Sequence, residues 1–185
     1  LPDNRERPQH DGMRTLASHL RGLLLAAPLL TGSASPADAE GPMLFLGLAL
    51  ANHSAAAFGG PGSAEDARRQ TTEAHIAQVL RARDIPLLFP DAALQERMAQ
   101  RSNVFDCNAC QVALARSTGA ETVLVGEVRK ISALIQSVSL MVLDAETGAI
   151  LRGGVADIRG NTDKAWARGF DFLIRNRLFP DDPPE

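Results

Sequence analysis

The stretch "CNACQVALARSTGAETVLVGEV", residues 107–128, carries both cysteines of the chain, Cys107 and Cys110, just ahead of a helical pattern and a strand. Their spacing suits three chemistries. Oxidised, the pair is a disulfide. As thiols at a helix start, where the helix field lowers the pKa of the leading sulfur, it is a redox site; with two further ligands it is a zinc site. The histidines on offer beyond a secretory signal are His53 and His75, one in a loop pattern and one in a helical pattern. Attachment of c-type haem requires His after the second cysteine, and position 111 is Gln. In an oxidising compartment a disulfide is the default for a two-cysteine protein. Closing so short a loop stabilises by about 2 kcal/mol at most. The expectation is a structural bridge, with a thiol-redox pair as its alternative and with no metal or cofactor.

Other groups invite similar questions. Asp144 and Glu146 in "DAETG" are two carboxylates beside a glycine, but the stretch is far shorter than a calcium loop and reads as a hairpin turn. "RGGVADIRGNTD", 152–163, has paired glycines but neither phosphate-loop pattern, so the expectation is a bulge at Gly153-Gly154 and a tight turn at Gly160. Arg159, Asn161 and Asp163 in that run form a candidate recognition edge. Arg168, Arg175 and Arg177 on the closing helix extend it, since arginine is enriched at protein-binding hot spots; a solvated helix face is their plainer role. Ser54 beside His53 is an adjacent pair, which does not set a nucleophile against a base. The chain is not expected to be an enzyme.

These residues must be held by elements. The apolar run 41–51 reads as a buried strand, and the Gly/Ser/Ala-rich 52–63 as a loop. Ser63 with Asp66 opens a helix to about Arg83, with Ala67, Ile76, Val79 and Leu80 facing inward and Arg68, Arg69, Glu73 and Arg81 in water. "IPLLFP" is a brief strand, Asp91 caps a helix, and "QVALARSTGA" is a further helix stopped by Gly119. Three strands follow, the last two joined by "DAETG". Asn161 or Thr162 caps a final helix over 163–178, with Trp166, Phe170, Leu173, Ile174 and Leu178 on its apolar face and an Asp171–Arg175 pair opposite. The order predicts a single α/β (α+β) domain over 40–179, a mixed sheet of about five strands flanked by helices, with a tail at 180–185.

From Met13 the text turns to a basic start, an apolar run from Gly22 to Leu30, and Ala37-Asp38-Ala39, which fits a signal peptidase site. About nine apolar residues fall short of the roughly 20 that span a bilayer. Residues 13–39 therefore read as a signal peptide cleaved after Ala39, and 1–12 as an upstream extension that is not native. The expected location is the periplasm. A net charge of −3 argues against a nucleic-acid partner, and no other run is long enough to span a membrane.

The string "LVGEVRKISALIQSVSLMVLDAETGAILRGGVADIRGNTDKAWARGFDFLIRNRL" resembles a family of secreted proteobacterial proteins of unknown function. In that family a paired-cysteine helix, a "GxVxKxS" strand, a "DxxTG" hairpin and an "RGNTDxxWxRGxxxLxRNRL" ending follow one another, over roughly residues 43 to 178 here. More distantly, the strand order and hairpin resemble the periplasmic α/β domain of CsgG-type curli secretion proteins, TolB N-terminal domains and penicillin-binding-protein activator lipoproteins. Those relatives bind other proteins near the outer membrane. The resemblance implies a non-enzymatic accessory module with another periplasmic or envelope protein as partner, or an accessory factor beside a periplasmic quinoprotein dehydrogenase. No lipidated cysteine is present here, so membrane anchoring does not carry over.

Overall fold

The computed structural model describes residues 41–52, 58–59 and 62–180. The expected upstream extension, the signal peptide, His53, Ser54 and the tail from 181 onward lie outside the described residues.

In chain order the elements are β1 (Met43–Asn52), α1 (Ala64–Arg81), β2 (Leu87–Leu88), α2 (Ala92–Ala99), α3 (Cys110–Ala115), β3 (Thr122–Lys130), β4 (Ile135–Asp144), β5 (Ile150–Arg159) and α4 (Asp163–Leu173). A π-helical turn, Ile174–Leu178, completes α4. The strands form one sheet in the order β2-β1-β3-β4-β5. β1 runs parallel to β2 and β3, and β3, β4 and β5 are antiparallel. This is the mixed five-stranded α/β sheet that the sequence predicts.

Helices cover both faces, which is why the first strands read as unbroken apolar runs. Along β3, Val123 and Val125 join Leu44, Leu46, Leu94, Cys110 and Leu114 beneath α2 and α3. Leu124 and Val128 point the other way, to Ile76, Leu80, Trp166 and Phe170 of α1 and α4. Cover on the α2/α3 face gives way to polar contacts at Glu127, which is 1% exposed. Arg129 holds its carboxylate through Nε and Nη2 at 2.9 and 2.7 Å, and Asn103 donates to its other oxygen at 2.9 Å. Asn103 in turn accepts the Phe105 amide, and Gln111 donates to the Val104 and Phe105 carbonyls. A buried polar chain thus runs from the middle of the sheet to the cysteine loop.

Cys107 and Cys110 are joined, with Cα atoms 5.4 Å apart. Between them Asn108 and Ala109 both take left-handed backbone, at φ 50° and 69°. For alanine that conformation costs roughly 1–2 kcal/mol, so the bridge holds a loop that would otherwise relax. Reduction and alkylation should lower the unfolding free energy by about 2 kcal/mol or less and leave the helix and strand signal intact. Urea titrations of the oxidised and alkylated protein, followed by far-ultraviolet circular dichroism, check this. Collapse of the fold on reduction would assign the bridge a larger role.

Local expectations meet mixed outcomes. Ser63 caps α1 by accepting the Asp66 amide, whereas the Asp66 carboxylate accepts the Gly62 amide, one residue earlier than a capping box requires. Thr72, Ile76 and Leu80, four apart, set the inward stripe of α1, so Ala67 falls outside it and is exposed. The Asp144 carboxylate accepts the Thr147 amide, the Thr147 hydroxyl and the Glu146 amide. These bonds, the Thr147 amide foremost, hold its carboxyl below the usual range, and Gly148 takes φ 75° to close the hairpin.

Two expectations are corrected. The bulge in β5 lies at Leu151, opposite the break between Val142 and Leu143, and not at Gly153-Gly154. Those glycines pair regularly with Met141 and Leu140, and a Cβ at Gly154 would strike Arg177 and Leu173. Of the two caps expected for α4, Thr162 fills the place, accepting the Ala165 amide at 3.2 Å. The helix widens at Ile174, which keeps both Ile174 and Leu178 buried and ends with the Phe179 amide on the Ile174 carbonyl. Nor do Asp171 and Arg175 form a side-chain pair. Asp171 faces α1 and meets His75 Nε2 at 2.8 Å, and Arg175 Nε reaches only the Asp171 backbone oxygen, at 3.4 Å.

Candidate functional site

The two edges of the sheet are finished differently. β2 ends after two residues and Pro90 has no amide hydrogen, so among the described residues β1 has no strand on its β2 side past Leu44. Gly47, at φ 84°, sits in the register break between Phe45 and Leu48 and turns the Leu48 amide toward α1. There Glu73 Oε1 accepts it at 2.8 Å. Arg69 backs the same carboxylate oxygen at 2.8 Å and binds Asp66 with its remaining nitrogens. Burial alone would lower the Arg69 pKa, but the two carboxylates raise it instead. A cleft of about 680 Å³ opens here, with Arg81 over the Phe89 ring and Phe89 edge-on to Phe45. Arg69 thus counters both Asp66 and Glu73 within the molecule.

β5, ten residues long, is the other terminal strand. The Gly160 amide donates to the Leu134 carbonyl at 2.8 Å, which fixes the alternation of the ladder. Residues 154, 156 and 158 bond to β4, and the amides of Gly153, Val155 and Asp157 face outward. Ile150 and Val155 are 63% and 65% exposed, a long apolar edge of the kind that proteins ordinarily cover. α4 crosses the inner face of this edge, brought close by Gly169, where a Cβ would meet Ile158 and Val138. Between helix and strand lies a groove of about 400 Å³, its walls including Asp157, Arg159, Ala165, Arg168, Gly169 and Phe172.

Of the six residues nominated from sequence for an interaction surface, Arg159 and Arg168 share this groove. Arg177 lies beside it, its stem over Gly154. Asn161 and Asp163 turn away and bind Arg68 of α1, at 2.9 and 2.8 Å, and Asn161 also donates to Glu65. Arg68 in turn stacks over Trp166, 5.5 Å from the ring centre, so this group bolts α1 to the start of α4. For Glu65, burial pushes the carboxyl up, but its own backbone amide, Lys130 and Asn161 together bring it below the usual value. Arg175 bonds only its own helix and lies outside the groove.

Charge separates the two edges as well. Residues 150–179 contain six basic and three acidic side chains, in a chain whose net charge is −3. Asp163 and Asp171 are engaged toward α1 by Arg68 and His75, which leaves Asp157 as the acidic side chain on the groove. Phe172 and Val155 were not foreseen. Both carried a signal: Phe172 lies two positions from Phe170 and so off the apolar stripe, and Val155 shares the outward parity of Gly153 and Asp157. What the surface offers is outward backbone hydrogen bonding, an apolar edge and the Arg168 guanidinium, which suits binding and not bond-making.

Residues 42–178 match the model of a family described as "Protein of unknown function (DUF2380)". No curated protein matches the chain. Similar solved structures include lipoprotein GNA1162 from Neisseria meningitidis, 19% identical with TM-score 0.48 over 74% of this chain and 94% of that one. The LpoB C-terminal domain from Salmonella enterica is 14% identical, with TM-score 0.44 over 68% of this chain and 87% of that one. A PelC dodecamer from Paraburkholderia phytofirmans is 17% identical, with TM-score 0.43 over 72% and 87%. At such scores the likeness carries nothing about partner or activity.

Proposed function

The chain belongs to this family of proteins of unknown function, DUF2380, and from that membership, which brings no activity with it, we propose that it is an exported, non-enzymatic accessory module that binds another envelope protein through the β5–α4 face. The observation that carries the reading is a groove walled by Arg168 and Phe172 beside a ten-residue strand whose outer edge is unpaired among the described residues. Export is supported by the signal pattern ending at Ala39 and by the joined cysteines, which suit an oxidising compartment. Among the described residues no helix is long and apolar enough to cross a membrane. Cys110 is buried and Gln111 pins its loop, which supports a structural bridge over thiol exchange. The narrower readings that the sequence resemblance implies, a CsgG- or TolB-like periplasmic role or service to a quinoprotein dehydrogenase, belong to this same proposal.

A photo-crosslinking side chain placed at Val155 in cells tests it, with the same group at exposed Gln100 as control. A discrete adduct at Val155 that disappears with Arg168→Glu is the expected result. Identical adduct patterns at both positions would sink the reading.

A further inference from the structure

We propose that β5 receives an acidic, extended segment of the partner as a sixth strand of the sheet. This deepens the protein-binding reading and rests on it. Backbone groups of Gly153, Val155 and Asp157 face outward along a strand whose other side is paired regularly to β4 from Arg152 to Arg159. An incoming strand satisfies them and covers Ile150 and Val155, and the pleat sends every second of its side chains toward α4. That side is the groove, where Arg168 and Phe172 of α4 form the wall. An acidic residue there meets the Arg168 guanidinium, and an apolar one meets the Phe172 ring.

Charge selects among occupants. A second copy of this chain, joined β5 to β5 about a two-fold axis, would bring the arginines of the two grooves together, which like-charge repulsion opposes. The cleft at β1 is the competing site for an extended segment, but there Glu73 already takes the Leu48 amide. An acidic strand is therefore attracted to one edge and refused at the other.

The full chain is titrated against a fluorescein-labelled peptide of about ten residues alternating glutamate and valine, read by anisotropy, with a lysine–valine peptide as control. The acidic peptide is expected to bind at least about tenfold more tightly than the basic one, and Arg168→Glu, at an exposed position, to remove that preference. Amide exchange gives a separate readout: bound peptide slows Gly153, Val155 and Asp157 and leaves the amides of residues 154, 156 and 158 unchanged. Equal binding of the two peptides, or binding without protection of the outward amides, overturns strand addition. Should the peptides fail while the Val155 adduct persists and still depends on Arg168, strand addition falls and the protein-binding reading stands; loss of both removes both.

Discussion

Replacing Trp166 with alanine should lower the unfolding free energy by about 3–5 kcal/mol, the range for a fully buried large aromatic side chain. Trp166 has no exposed surface and packs edge-on against Phe58, with ring centres 6.1 Å apart. Its other face supports the Arg68 guanidinium, which in turn holds Asn161 and Asp163. The substitution leaves a cavity between α1, α4 and the sheet and also loosens the bolt between the two helices. Urea unfolding followed by fluorescence of a labelled single-cysteine site, or by circular dichroism, measures the loss. A cost below about 1 kcal/mol would show that the helices close over the void and that Trp166 is not the keystone of this layer.

Arg129→Met should be comparably severe, about 3–5 kcal/mol, for an electrostatic reason. Glu127 is almost wholly covered, and Arg129 supplies both the countercharge and two of the three hydrogen bonds to its carboxylate. Removing the arginine leaves a buried charge with Asn103 alone. Removing both charges, as Glu127→Gln with Arg129→Met, should restore most of the stability, because the amide keeps an acceptor for Asn103 and carries no charge to desolvate. A double-mutant cycle by urea unfolding measures the coupling. Additive losses would show that Glu127 is satisfied by something other than Arg129. The polar chain from Glu127 through Asn103 to Gln111 gives a second readout, since amide exchange at Phe105 should rise in the single variant.

Much of this architecture is legible in the sequence because it rests on local, repeated signals. The apolar runs of β1 and β3, the stripe of α4 and the "DAETG" turn each announce themselves within a few residues. The corrections share a cause of another kind. Asp171 reads as the partner of Arg175 only until α1 arrives, from about 95 positions away in the chain, with His75. Gly153 and Gly154 read as a bulge until Arg177 and Leu173 are laid across the strand. A contact made between distant segments leaves no periodic trace. The candidate site shows the same division: Arg159 and Arg168 were nominated by residue type, but that they face one groove, and that Asn161 and Asp163 do not, follows from packing.

The stopper that Gly47 and Glu73 place on β1 decides what kind of complex the sheet can make. A molecule with two receptive edges can recruit neighbours indefinitely, each newcomer offering a fresh edge to the next, and such chains grow into fibres. Here one side is closed by the molecule's own carboxylate and a two-residue strand. In the proposed complex, accretion through the sheet therefore terminates after a single addition, which caps the stoichiometry at one strand per molecule.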